Sequence, residues 1–155
     1  LINQLAERFR TTLFRQAMFA EFEAETYRLS WSGTPLTKDL LCSLYHELNS
    51  EYYGEETVID EDIDHEWERI PHFYMQFYVY QYATGFSAAM AIARRILSGD
   101  EKTKEGYFRF LKGGCSKTPV ELLKLVGLDM EKPDVVNEAM KVFEGLIKEL
   151  EGSFS

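Results

Sequence analysis

The sequence predicts an all-α protein. Apolar residues recur at three- and four-residue steps in most segments, and capping residues, prolines and glycines bound those segments. No stretch alternates with the two-residue period of a strand, and no internal repeat suggests a solenoid.

The first helix starts at once. "LINQLAERFRTTLFRQAMFAEFEAETYRLS" has no initiator Met and no capping residue, and Leu5, Phe9, Leu13, Ala17 and Ala20 give it a buried face to about Leu29. Such an opening suggests a single helical segment, residues 1–155, cut from something longer. Its first helix would then bare an apolar face through which the chain can self-associate. Gly33 and Pro35 break this helix. Thr37 caps a second one, with Leu40, Leu41, Leu44, Leu48 and Tyr52 inward, ending at Gly54. "EETVIDEDIDHEWER" follows, with eight carboxylates before one arginine, and reads as a loop or short turns on a solvated face.

Pro71 opens a third helix expected to run to about Ser98, before Gly99. A fourth covers "EKTKEGYFRFLK" and is closed by Gly113 and Gly114. Thr118-Pro119-Val120-Glu121 is a capping box with proline in the first helical position, predicting a short helix to Val126. Pro133 opens the last helix, on which Val136, Met140, Phe143, Ile147 and Leu150 share a face.

A net charge of −9 argues against nucleic-acid binding, which needs a basic face. No apolar run is long enough to span a bilayer as a helix, so no membrane partner is expected. Cys42 and Cys115 lack the paired spacing of a metal or redox motif and read as reduced thiols of a cytoplasmic protein, the alternative being a secreted chain with one disulfide. Neither "HELNS" at His46 nor "HEWER" at His65 places a second histidine one helical turn on, as a zinc motif requires. Both histidines read as surface residues. The carboxylate-rich loop lacks the glycine of an EF-hand, and "LKGGCSK" lacks the spacing of a P-loop.

The chemistry that remains is in "RIPHFYMQFYVYQYATG", Arg69 to Gly85. On a helix, Tyr74, Tyr78 and Tyr82 would form one stripe at i, i+4 and i+8, with His72 at its start. Two readings stay open: an aromatic core helix, or a helix presenting phenols and an imidazole to a substrate. Buried phenols need partners, and three in register exceed what a core requires.

"FRQAMFAEFE", "LNSEYYGEE", "WERIPHFYMQFYVYQYATG" and "FLKGGCSKTPVELLKLVGLDM", in this order, closely resemble the C-terminal part of the oligoendopeptidase F family, among the thimet-oligopeptidase-like zinc metallopeptidases. The resemblance covers essentially the whole chain. It implies a larger, mostly helical fold with a deep channel for short unfolded peptides. It also implies zinc in the full-length enzyme, held by an HExxH motif and a glutamate upstream of this segment, so that no ligand is expected in this chain. What it carries over is the opposite wall of the cleft. There His72 and Tyr78 would be catalytic, steadying the tetrahedral intermediate, with Tyr74 and Tyr82 binding substrate. Thimet-type members have a longer, glycine-containing loop between the histidine and the tyrosines. Here Tyr74 follows His72 after one residue, leaving Tyr74/Tyr78 and Tyr78/Tyr82 both open as the functional pair. Glu21 and Glu23 read as surface or salt-bridge carboxylates, and Arg69 as pairing with the acidic loop or lining the cleft. The alternative function is a non-enzymatic helical module binding a peptide or partner helix.

Overall fold

The computed structural model describes residues 2–153, and among these it is helical with no strand. The elements are α1 (Ile2–Arg8), a π-helical stretch (Phe9–Phe14), α2 (Arg15–Trp31), α3 (Lys38–Tyr53), two 3-10 segments (Glu61–Arg69 and Pro71–Tyr74), α4 (Tyr80–Leu97), α5 (Glu101–Gly113), α6 (Pro119–Lys124) and α7 (Asp134–Ser153). They form two compact units. One is Arg10–Ala83; the other takes the start of the chain to Phe9 and everything from Thr84 onward.

The unit Arg10–Ala83 is built on Met18, Phe19 and Phe22 of α2, Tyr45 and Leu48 of α3, and Ile70 and Val79. The π stretch explains which face of α2 is buried. Along the first helical run the buried residues are Phe9, Leu13, Met18 and Phe22, so the step across the wide turn is five rather than three or four. The predicted stripe holds through Leu13 and then slips. Ala17 and Ala20 are half-buried, while Met18, Phe19, Phe22 and Glu23 take the inner face. The expectation of a bare apolar face needs correcting here, because Phe9 and Leu13 are buried within the chain. On α3 the predicted cap is present: Leu40 N donates to Thr37 Oγ1 at 3.3 Å.

The carboxylate-rich stretch departs from expectation. Glu61–Arg69 is a nine-residue 3-10 segment, and its Glu66 is buried. Glu66 accepts from the Tyr45 hydroxyl at 2.7 Å and pairs with both Arg15 and Arg69. Burial first, and the hydrogen bond to Glu66 second, push the Tyr45 phenol far above its ordinary value. Arg69 therefore does pair with the acidic stretch. His46 Nδ1 lies 2.8 Å from Asp64 Oδ1, a further tie between α3 and this segment.

In the other unit, Ala88, Ala91 and Ile92 of α4 pack with Val126, Leu128 and Val135. Phe9 meets Phe86 edge-on at 4.9 Å and Phe143 at 5.2 Å. The Thr118–Glu121 capping box forms as predicted, with Thr118 N donating to Glu121 Oε2 at 2.9 Å, although α6 ends at Lys124 rather than Val126. Arg95 Nε donates to Glu138 Oε2 at 2.9 Å and Nη1 to the Gly127 carbonyl at 3.1 Å, joining α4, α7 and the turn after α6.

At Gly106 α5 approaches this turn closely: a Cβ there would lie 2.4 Å from Leu125 O and 2.9 Å from Val126 Cα. Backbone cannot yield as a side-chain tip can. Gly106→Ala is expected to destabilise the chain by about 2 kcal/mol, overpacking outweighing the gain in helix propensity. Gly145→Ala on α7 is the opposite case, since nothing lies within 4 Å of its Cβ position. It should stabilise by roughly 0.5–1 kcal/mol. Thermal unfolding of the two variants should move in opposite directions.

Candidate functional site: a histidine–tyrosine cluster

Local sequence explains how His72 is held. Pro71 occupies the first position of a short 3-10 turn, where its missing N–H costs nothing, and Met75 N closes the turn on the His72 carbonyl at 2.9 Å. The predicted helix from Pro71 to Ser98 is not continuous: the turn ends at Tyr74, and α4 begins only at Tyr80. Between them Phe77 adopts φ +52°, and it is the sole non-glycine residue with positive φ among the described residues. Val79, with no exposed surface, anchors the far side of this break in the core.

The break replaces the i, i+4, i+8 stripe with a tighter arrangement. Tyr78, in the irregular segment, lies parallel to the His72 ring, at 5.5 Å and 3° between planes. Tyr82, in the first turn of α4, meets His72 edge-on at 5.6 Å and Tyr78 at 5.7 Å. Its Oη is 3.4 Å from His72 Nε2. Tyr74 joins none of these ring contacts and is 86% exposed. Of the four residues singled out from sequence, His72, Tyr78 and Tyr82 converge and Tyr74 does not.

Tyr78 and Tyr82 remain 37% and 38% exposed, so the cluster is a surface feature rather than part of the core. The neighbouring Tyr78 phenol first, and desolvation second, hold the Tyr82 phenol above its ordinary value. At neutral pH it is a protonated donor. Two phenols and an imidazole on one accessible face can donate to a carbonyl oxygen or a peptide backbone.

Of the two carboxylates that the sequence predicts to be surface or salt-bridge groups, Glu21 lies at the surface and Glu23 does not. Glu21 is exposed and accepts from the Tyr52 hydroxyl at 2.8 Å. Glu23 is only 3% exposed, and it accepts from Phe77 N at 2.6 Å. It is neither a surface group nor half of a salt bridge. Its partner is the main chain of the break itself. A helical-wheel reading could have found Glu23 only by allowing for the wide turn at Phe9–Phe14.

Among the described residues no group of three or more His, Cys, Asp and Glu side chains is placed to hold a metal ion. No helix of the described residues is long and apolar enough to cross a membrane.

Comparison with known proteins gives the family to which this helical chain and its exposed donor cluster belong. Residues 1–142 match the model of peptidase family M3, and the chain belongs to that family. It is 46% identical to oligopeptidase PepF of Bacillus subtilis over 97% of its own length and 22% of that protein. It is 44% identical to the chromosomal oligoendopeptidase F of Lactococcus lactis subsp. cremoris, over 97% of this chain and 25% of that one. The crystal structure of oligoendopeptidase-F from Enterococcus faecium superposes with a TM-score of 0.94 at 44% identity, over 97% of this chain and 29% of that one. The chain thus spans about a quarter of the length of the relatives it matches.

Proposed function

We propose that the chain is the C-terminal part of a zinc endopeptidase acting on short unfolded peptides, and that His72, Tyr78 and Tyr82 form one wall of its cleft. The observation that carries this is the convergence of those three side chains on an accessible face, in a chain of family M3. Of the two tyrosine pairs that the sequence leaves open, Tyr78 and Tyr82 are favoured, because Tyr74 stands apart.

The residues present do not fit a zinc site. Bound zinc would polarise the scissile carbonyl and lower the pKa of its water. Among the described residues no group of three or more His, Cys, Asp and Glu side chains is placed to hold it, and the chemistry proposed for this chain is donation and positioning. Water attack on an amide places negative charge on the carbonyl oxygen. Preorganised O–H and N–H donors aimed at that oxygen act more strongly on the intermediate than on the substrate. Tyr78 and Tyr82 supply such O–H groups; His72 holds their rings and can add its own N–H.

The 155-residue chain alone is therefore expected neither to bind zinc stoichiometrically nor to cleave peptides. Metal analysis of the purified chain and a quenched fluorescent peptide assay check this. Tightly held zinc with chelator-sensitive activity would overturn it. In the peptidase carrying this chain, a phosphinic peptide mimicking the tetrahedral intermediate should lose affinity on Tyr78→Phe, whereas an uncleaved ground-state peptide should not. Equal loss for both ligands favours a peptide-binding module instead.

A further inference from the structure

The break between the 3-10 turn and α4 has a cause that lies far away in the sequence. Glu23 sits on the inner face of α2, beside Phe22, with its carboxylate almost wholly withdrawn from water. Burying a carboxylate is costly unless something compensates. Here the compensation is a hydrogen bond from Phe77 N to Glu23 Oε1 at 2.6 Å. Tyr27, one helical turn further along α2, lays its ring against that of Phe77 at 4.9 Å. Two neighbours on one helix thus hold both the main chain and the side chain of a single residue.

That residue is Phe77, in the left-handed region that a bulky side chain avoids. Such a conformation persists only where the surroundings over-determine it. A residue with negative φ at this position would redirect the chain at Tyr78, the next residue, whose ring is within 3° of parallel to His72. Nothing in the local sequence "YMQFYVY" calls for a turn, since it contains no Gly, Pro, Asn or Asp.

We propose that Glu23 is a positioning residue: by gripping the Phe77 N–H it fixes the break in the backbone and so sets the Tyr78 ring over His72. This deepens the proposed function and rests on it for its kinetic consequence, though the geometric consequence stands independently. Glu23 touches no substrate; it acts through Phe77.

The test uses Glu23→Leu, Glu23→Asp and Glu23→Gln with two readouts. In the 155-residue chain, NMR reports the His72 ring protons, shifted by the Tyr78 ring, with His46 and His65 as internal references. Leu offers no acceptor, and Asp is one methylene too short to reach. Both should move the His72 signals toward the positions of an unstacked histidine, with helicity by circular dichroism unchanged. Gln keeps an acceptor at the same reach and should leave the signals near those of the parent. In the peptidase carrying the chain, Leu and Asp should lower kcat by roughly a hundredfold with KM little changed, and Gln should restore most of it. If Leu fails to fold, Asp decides. A folded Leu or Asp variant with parent-like His72 signals overturns the proposal. His72 signals that move while kcat does not would support Glu23 as the holder of the break and overturn the catalytic reading of the cluster.

Discussion

On the proposed function, Tyr78→Phe and His72→Ala, each made in the full-length protein carrying this chain, are expected to lower kcat by about a hundredfold to a thousandfold, with KM nearly unchanged and metal content intact. The reason is differential binding. A donor aimed at the oxygen that becomes an oxyanion contributes little to holding the substrate and much to the transition state, so its loss appears in kcat. Tyr78→Phe removes only a hydroxyl and leaves the ring stacked on His72. His72→Ala removes the ring against which both Tyr78 and Tyr82 rest, and so also loosens their aim. Tyr80→Phe and Tyr74→Phe are the controls. Tyr74 is 86% exposed and Tyr80 50% exposed, and both should keep turnover within a few-fold of the parent. If the cluster were only structural, Tyr78→Phe would cost roughly 1 kcal/mol of stability and spare turnover. Steady-state kinetics with melting curves for all four variants separates the two. Uniformly small kinetic effects with a lowered melting temperature at Tyr78 would return the cluster to a packing role.

How much of this could be read from sequence depends on how far apart the determinants lie. Thr37 capping α3 and the Thr118–Glu121 box opening α6 are local, within three residues, and both were legible. That the rings of His72, Tyr78 and Tyr82 lie together was legible as well, though for a reason the structure replaces. The i, i+4 spacing suggested a helical stripe, whereas the rings meet because the backbone breaks between them. That break was not legible. It depends on a hydrogen bond spanning 54 residues, from Phe77 to Glu23, and on a segment with no turn-forming residue of its own. The burial of Glu23 was hidden in turn by the π stretch. A period of 3.6 carried past Leu13 puts Ala17 and Ala20 inward, while one wide turn puts Met18, Phe22 and Glu23 there instead. Glu66 was hidden by composition. Among eight carboxylates it reads as one more solvated charge, and its partners, Arg15 and Tyr45, lie on other elements.

Glu66 accordingly carries a large expected loss of stability in the unit Arg10–Ala83. Glu66→Ala is expected to destabilise it by about 3 kcal/mol, the low end for breaking a buried ion pair by removing one partner. The low end applies because the orphaned cations are not themselves fully buried: the Arg15 side chain is 28% exposed and that of Arg69 is 70% exposed, so both recover some hydration. The Tyr45 hydroxyl is less fortunate, since Tyr45 has no exposed surface and Glu66 is the acceptor it uses. A buried donor left unmatched accounts for roughly 1–3 kcal/mol on its own. Glu66→Gln keeps an oxygen for Tyr45 and should cost clearly less. Glu68→Ala, two residues on, removes an exposed carboxylate facing His65 at 3.1 Å, and should stay within about 0.5 kcal/mol of the parent. Urea unfolding followed by Trp67 fluorescence is a suitable measurement, because Trp67 packs against Phe22 in this core and its indole reports the unit directly. The order expected is Ala well below Gln, with Glu68→Ala indistinguishable from the parent. A Glu66→Ala variant as stable as Glu68→Ala would mean that the two arginines and the phenol find other partners, and that the buried carboxylate does not hold α2, α3 and the 3-10 segment together.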